Sequence, residues 1–294
     1  MRVLVLRAPG TNCDRETAHA FELAGATAER VHVNRFIENP ALGGRYQVLC
    51  LPGGFSYGDD IAAGKILAVR LQNHLRDLVD EFVHRKDRLV LGICNGMQVL
   101  MRLGVLTGEP PAADSEAKST TGDHAPAATL TWNNHGRFED RWVSVARDPA
   151  TPCVFLRGID RLELPIAHAE GKFVAADDAI RERLAAAGRL ALRYVDPGGQ
   201  ANGSRLDGPQ SNSSDTANSR DESLDAAIEF PHNPNGAEAN VAGVCDASGR
   251  VFGLMPHPER HLDPTHHPQW TRRETQPEHG DGLAIFKNAV EYFS

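Results

Sequence analysis

Apolar and polar positions along the first hundred residues come in short blocks whose period switches back and forth. Arg2–Arg7 (RVLVLR) is an apolar run closed by Pro9-Gly10, the pattern of a buried strand. Asp14 can cap a helix running to about Ala24, with Ala18, Phe21 and Leu23 on one face and Gly25 as its stop. Residues 28–33 alternate as a second strand, and 46–51 (YQVLCL) form a third that ends at Pro52-Gly53-Gly54. Apolar positions from Ile61 to Phe82 predict one long helix over about 60–85. Leu89–Ile93 is a fourth strand, followed at once by helical periodicity behind Cys94.

Strands alternating with helices in this way predict an α/β fold. The expected architecture is a mostly parallel open sheet with helices on both faces, of the flavodoxin-like kind. In such sheets functional sites open at the carboxyl ends of the strands, where both Cys94 and the Gly53-Gly54 turn fall.

Beyond Leu106 the pattern loosens. Residues 108–127 and 197–230 are rich in Pro, Ser, Asn, Asp and Gly without a period, and read as flexible loop insertions in one domain spanning 1–294. Between and after them come short strand-like pieces at 128–132, 141–146, 164–169, 172–174 and 190–195. A hairpin joins 240–245 to 250–255 through Asp246-Ala247-Ser248-Gly249. These predict a small antiparallel addition, closed by a last helix over about 282–292.

Composition narrows the function classes. Hydrophobic residues make up 41% and charged residues 24%, as in ordinary globular chains, and the net charge of −8 offers no basic footprint for nucleic acid. No stretch has the apolar length of a membrane helix, and MRVLVLRAPG lacks a signal-peptide pattern. Five scattered cysteines form no disulfide or zinc spacing, so a cytoplasmic location is expected.

Three stretches carry chemistry. In Gly92-Ile93-Cys94-Asn95-Gly96 a strand turns directly into a helix with a thiol at the bend. Small residues two before and two after relieve the crowding of such a nucleophile elbow. Helix N–H groups aimed at the sulfur would lower its pKa and hold a developing oxyanion. Taken alone, Cys94 fits a buried structural thiol nearly as well. Met255-Pro256-His257-Pro258-Glu259-Arg260 follows a strand, and its prolines suggest an extended rail that puts His257 and Glu259 on one side as base and orienter. Pro52-Gly53-Gly54-Phe55 leaves backbone N–H groups open to approach. No phosphate-binding glycine motif is present. His261, Asp263, His266, His267 and His279 crowd one segment, but Pro264 and Pro268 break it; a solvated loop is expected there, with no metal.

Together, LPGGFSYGDD, LGICNGMQ and GLMPHPER resemble the class I, triad-type glutamine amidotransferases. FSYGDD, the Arg137-Phe138-Glu139 segment and AHAEGK are most similar to the branch that serves as the glutaminase component of phosphoribosylformylglycinamidine synthase, in de novo purine synthesis. The resemblance covers the chain except 108–127 and about 197–230. It implies Cys94 as nucleophile, His257 as acid and base, and Glu259 as orienter. It further implies Gly53, Gly54, Phe55 and Asn95 around the oxyanion, and Gln98, Asn134 and His135 holding glutamine. The implied activity is hydrolysis of L-glutamine through a cysteine thioester, with ammonia passed to a synthetase subunit and a small accessory subunit as a further partner. No cofactor is expected in this chain; ATP and Mg belong to the synthetase. Two departures stand out. Gly58-Asp59-Asp60-Ile61-Ala62-Ala63-Gly64 lacks the arginine of the family pattern, and AHAEGK replaces the commoner AHGEG. Cys13-Asp14, His168 and Glu170 read as structural or partner-facing, and Cys50, Cys153 and Cys245 as core. The competing readings are a partner-independent cysteine hydrolase and a catalytically silent docking subunit, and the intact Cys, His and Glu argue against silence.

Overall fold

A computed structural model describes residues 1–108, 126–197, 226–272 and 276–294. Its spine is a nine-stranded sheet that changes character halfway across. Strands β1 (Arg2–Arg7), β2 (Thr27–His32), β3 (Val48–Leu51), β4 (Leu89–Ile93) and β11 (Val251–Leu254) pair in parallel in the order β2-β1-β3-β4-β11. Strands β10 (Val241–Cys245), β9 (Leu192–Val195), β6 (Glu139–Arg147) and β7 (Arg161–His168) extend the sheet antiparallel from β11. β5 (Ala128–Thr131) and β8 (Lys172–Ala175) form a separate two-stranded ribbon.

Burial follows place in the sheet rather than strand direction, for antiparallel β10 (VAGVC) is buried as fully as the parallel strands. VLCL, LVLGI and VFGL are apolar at almost every position and are buried throughout, as strands covered on both faces must be. β7 instead alternates, with Leu162, Leu164, Ile166 and His168 turned inward, as suits a sheet with one wetter face.

β1 to β2 steps one way along the sheet and β3 to β4 the other. Right-handed crossovers therefore put α1 (Asp14–Leu23) on one face and α3 (Lys65–His74) with α4 (Arg76–His84) on the opposite one. α7 (Leu283–Glu291) joins α1, the rings of Phe21 and Phe286 meeting edge to face at 4.9 Å. α5 (Asn95–Arg102) packs beside α3, over β3, β4 and β11. The carboxyl ends of β1, β3, β4 and β11 open on one edge.

Three local expectations are corrected. The single helix expected over 60–85 is two, α3 and α4, broken at buried Leu75, whose φ of −135° leaves the helical range. It also starts later, because Tyr57, Gly58, Asp59 and Gly64 all have positive φ and hold residues 56–64 as a tight loop. The apolar periodicity runs unbroken through the kink, so hydropathy could not locate it. Val33, expected to end β2, begins a short α2 (Val33–Glu38), capped by the His32 ring accepting from the Asn34 N–H at 3.3 Å. Asp14 lies inside α1 rather than capping it; Cys13 is the N-cap residue, and Asp14 pairs with Arg7 at 2.8 Å and Arg30 at 3.1 Å. Of the expected insertions, residues 109–125 and 198–225 lie outside the described residues.

Residue α7 Phe286 is fully buried against Phe21, so Phe286→Ala should cost about 3–5 kcal/mol. The check is the midpoint of urea unfolding followed by circular dichroism; an unchanged midpoint would mean that α7 contributes little to this layer.

Candidate active site

Cys94 sits where β4 passes into α5, with φ +50° and ψ −105°, a backbone conformation costly for any residue with a side chain. Its N–H donates to the Leu254 carbonyl at 2.8 Å, tying the bend to β11. Two glycines make the bend possible. A Cβ on Gly96 would stand 1.9 Å from the Leu51 carbonyl oxygen, and one on Gly92 would stand 2.8 Å from the Gly96 carbonyl oxygen. The thiol is 4% exposed, and its Sγ lies 3.7 Å from the Ala167 carbonyl oxygen of β7. The first N–H of α5, on Asn95, has no intrahelical acceptor and adds to the positive end of the helix dipole.

His257 and Glu259 come from the turn after β11. The extended rail expected there is replaced by a 3-10 turn over Pro258–Arg260. That turn still brings the pair together: His257 Nδ1 and Glu259 Oε1 are 2.6 Å apart and both side chains are buried. The His257 backbone N–H donates to Pro165 O at 2.8 Å, tying the turn to β7. Burial works against charge on the imidazole. The Glu259 carboxylate and the neighbouring Cys94 and Cys13 thiols outweigh it and hold His257 well above its ordinary range. With Nδ1 committed to Glu259, Nε2 is left to exchange a proton with the thiol.

The Gly53-Gly54 turn lies against this pair. A Cβ on Gly53 would meet His257 Cε1 at 2.7 Å, so only glycine lets the backbone approach. Gly54, at φ +133°, bridges to Thr11; Phe55 N–H donates to Gly10 O at 3.0 Å and Cys13 N–H to Gly53 O at 3.3 Å. The Gly54 N–H makes none of the described hydrogen bonds. It, one residue from the Gly53 contact with His257, and the Asn95 N–H at the start of α5 are thus two backbone donors without a described acceptor.

The Asn95 side chain joins a chain of polar contacts. Its Oδ1 accepts from Ser56 N–H at 3.3 Å, and its Nδ2 donates to Asp59 Oδ1 at 3.1 Å and to Gln98 Oε1 at 2.9 Å. Gln98 Nε2 in turn donates to Glu170 O at 2.7 Å. Burial raises the Asp59 carboxyl above its usual range, against hydrogen bonds from Gly64 and Asn95. No arginine stands at Ala62. A guanidinium does reach the Ala63 end of this loop, that of Arg102, whose Nε donates to Ala63 O at 2.9 Å and whose Nη2 lies 3.6 Å from Glu170 Oε2.

The structure therefore gathers Cys94, His257, Glu259, Gly53, Gly54, Asn95 and Gln98. Asn134 and His135 instead line a groove of about 1060 Å³ with Phe138, Phe230 and Glu238, and none of the gathered residues lines it. Phe55, 44% exposed, reaches toward that groove with its ring 6.2 Å from that of Phe138. The neighbour Asn133 is the buried one, its amide donating to His168 O and Arg137 O at 2.9 Å each and accepting from Gly171 N–H at 3.3 Å. His168 is correspondingly structural, burial pushing its pKa down to about 3.

Cys13, read from sequence as cap and packing, is also part of the site. Its Sγ is 4.0 Å from His257 Nδ1 and accepts from Arg260 Nη2 at 3.1 Å. The only sequence signal was its place in PGTNCDRE, just after a strand end. Among the described residues, Cys13, His257 and Glu259 have ligand atoms within 4.8 Å of one another. The donor set suits a proton better than a metal, because the His–Glu bond already fills the gap and the Arg260 guanidinium faces the sulfur. The solvated loop expected around His261 is a packed cluster instead. His261 and His267 are buried edge-on against Trp142, at 5.0 and 4.6 Å, and His261 Nδ1 pairs with Glu163 O at 2.7 Å.

Residues 1–217 and 206–293 match the family model of the CobB/CobQ-like glutamine amidotransferase domain. Over 292 residues the chain is 40% identical to a protein of Dehalococcoides mccartyi named phosphoribosylformylglycinamidine synthase subunit PurQ, spanning 99% of this chain and 97% of that one. A PurQ subunit of Methanococcus maripaludis is 37% identical over 303 residues, spanning 100% and 97%. Part of the human phosphoribosylformylglycinamidine synthase is 32% identical over 276 residues, 92% of this chain but 18% of that longer one. A chain in the structure of PurLQS from Thermotoga maritima superposes with a TM-score of 0.63 at 26% identity, covering 100% of this chain and 99% of that one.

The His257–Glu259 pair sets a pH signature. A raised folded-state pKa stabilises the fold fully below the ordinary histidine value of about 6.5, and that stabilisation is lost as pH rises through the folded value. Glu259→Gln should move the His257 Cε1–H NMR titration down in pH and flatten the loss of stability above neutrality; an unmoved titration would remove Glu259 as its cause.

Proposed function

The chain belongs to the glutamine amidotransferase family, alongside the PurQ subunits of phosphoribosylformylglycinamidine synthase, and on that premise we propose that it is the glutaminase half of that synthase, with Cys94 as nucleophile. The observation that carries the roles is the buried thiol on a strained strand–helix bend beside a His257 already oriented by Glu259 at 2.6 Å.

Cys94 Sγ adds to the side-chain amide carbon of glutamine as a thiolate whose proton is held on His257 Nε2. Negative charge moves to the former carbonyl oxygen, where the N–H groups of Gly54 and Asn95 receive it; a single such donor typically contributes about 10²–10³ in rate. Glu259 keeps Nδ1 protonated and stabilises the imidazolium that forms. His257 then returns the proton to the amide nitrogen, the C–N bond breaks, and ammonia leaves a glutamyl thioester. Water, deprotonated by His257, attacks that thioester. The sulfur departs, is reprotonated, and glutamate is released. Gln98, anchored at both ends, and Phe55, at the rim, border the space for the amino-acid portion of glutamine. Asn134 and His135 line the adjoining groove toward which Phe55 reaches.

Ammonia passes to a synthetase subunit, which binds ATP and Mg²⁺ and converts the formylglycinamide ribonucleotide amide to the amidine, with a small accessory subunit in the assembly. The name PurLQS of the Thermotoga structure supports this three-part arrangement. A cytoplasmic setting belongs to the same reading. Among the described residues no helix is long and apolar enough to cross a membrane, and all five cysteines are free thiols.

In the reconstituted complex, Cys94→Ala should lower glutamine-dependent amidine formation by at least about 10³-fold while ammonia-dependent formation persists. Equal loss of both activities, or glutamine turnover by the variant, would contradict the assignment.

A further inference from the structure

The loop 56–64 is joined to the nucleophile's neighbourhood by a closed ring of hydrogen bonds. From the loop, Asp59 Oδ1 accepts from Asn95 Nδ2 at 3.1 Å, and Asn95 Nδ2 also donates to Gln98 Oε1 at 2.9 Å. Gln98 Nε2 donates to Glu170 O at 2.7 Å. The Glu170 carboxylate then accepts from Ala63 N–H at 3.2 and 3.3 Å, which leads back to the loop. Asp59 Oδ1 takes a second bond from Gly64 N–H at 3.1 Å, so one oxygen pins both the loop and Asn95. Ser56 N–H, donating to Asn95 Oδ1 at 3.3 Å, fixes the other end of that amide. Both N–H bonds of the Asn95 amide and its oxygen are thereby used.

The backbone of this loop is strained. Tyr57, Gly58 and Asp59 have φ of 55°, 75° and 53°, and two of the three carry side chains that resist this conformation. Strain of this kind persists only where surrounding contacts over-determine it, and here the contacts end on Asn95, the residue after the thiol at the start of α5. Apart from Ser56 and the buried Ala63-Gly64 end, the loop's other side is open, Ile61 being 66% exposed.

We propose that Asp59 is a positioning residue for the glutaminase reaction. By holding the Asn95 side chain, its carboxylate keeps the Cys94–Asn95 peptide aimed as an oxyanion donor, and through Gln98 it couples that donor to the turn between β7 and β8. Asp59 itself touches neither thiol nor imidazole in this arrangement; it acts through Asn95. The proposal rests on the glutaminase reading and sharpens it at one residue that neither the triad nor the Gly53-Gly54 turn includes.

The role predicts a split between two substitutions. In Asp59→Asn the side-chain oxygen can still accept from both Gly64 N–H and Asn95 Nδ2, whereas Asp59→Ala leaves both donors without that partner. Both variants are compared with the unaltered chain in the complex with its synthetase. The measurements are glutamine kcat and KM, ammonia-dependent amidine formation, and the rate of Cys94 alkylation by iodoacetamide, which needs no oxyanion donor. For Asp59→Ala the expected result is a fall in kcat of about 10–100-fold, part of the effect of losing an oxyanion donor. KM should stay within about threefold, with alkylation and ammonia-dependent activity unchanged. Asp59→Asn should retain a third or more of kcat. An undiminished kcat in Asp59→Ala, an equal loss in Asp59→Asn, or a parallel fall in alkylation would overturn the positioning role. If the unaltered chain itself turned over no glutamine, the glutaminase reading would fail instead.

Discussion

The backbone of α5 runs against β3 with no side chain between them. A methyl group on Gly96 would stand 1.9 Å from the Leu51 carbonyl oxygen, and one on Gly92 would meet the Gly96 backbone. This close approach forces the chain to leave β4 and enter α5 within one residue, and Cys94 takes φ +50° as a result. A non-glycine residue held there costs of order 1–3 kcal/mol. The surrounding layer can hold it, because β3, β4 and nearly all of α5 are buried. The strain presents the sulfur at the end of a strand with the start of a helix beside it. Had α5 stood off by the width of a methyl group, neither the bend nor the alignment of the Asn95 N–H would follow.

The two halves of the sheet divide the work around that bend. The parallel half brings three segments together at its carboxyl ends: the Gly53-Gly54 turn after β3, Cys94 after β4 and His257 after β11. The antiparallel half supplies carbonyl oxygens that hold them. Pro165 O takes the His257 N–H, Ala167 O faces the Cys94 sulfur, and Glu170 O, just past β7, takes Gln98. Strand β7 can do so because its backbone runs beside the turns that follow the parallel strands. The balance at His257 shows the same division. Burial alone would leave the ring neutral, and the buried carboxylate 2.6 Å away, with the Cys94 and Cys13 sulfurs beside it, lets it take up a proton readily.

Much of this was legible in the sequence, for local reasons. Uninterrupted apolar runs identified β1, β3 and β4, since strands covered on both faces admit little else. Cys94 between two glycines signalled a bend, because only small residues tolerate one, and His257 with Glu259 gained meaning only when their motif was read together with the other two. The places where sequence reading failed share a different cause. The kink at Leu75 breaks no hydropathy period. The 3-10 turn at Pro258 preserves a side-chain pairing that an extended chain would also give. Asn133 and Asn134 are chemically identical neighbours, and only the packing of His168 and Gly171 decides which is buried. His261 and His267 look like a polar loop until Trp142 is placed against them.

By itself, then, the sequence determined the order of the elements and the parallel half of the sheet, because each depends on residues within a few positions of one another, and its three motifs together pointed through a family resemblance to Cys94, His257 and Glu259. Only the tertiary structure decided what surrounds them. Cys13 lies 4.0 Å from a histidine 244 residues away, and Asp59 reaches Asn95 across 36. Such contacts leave no periodic trace along the chain. They arise because strand ends that are far apart in sequence are brought to one edge by the pairing of the sheet, and side-chain polarity there is set by which backbone groups the fold leaves unpaired.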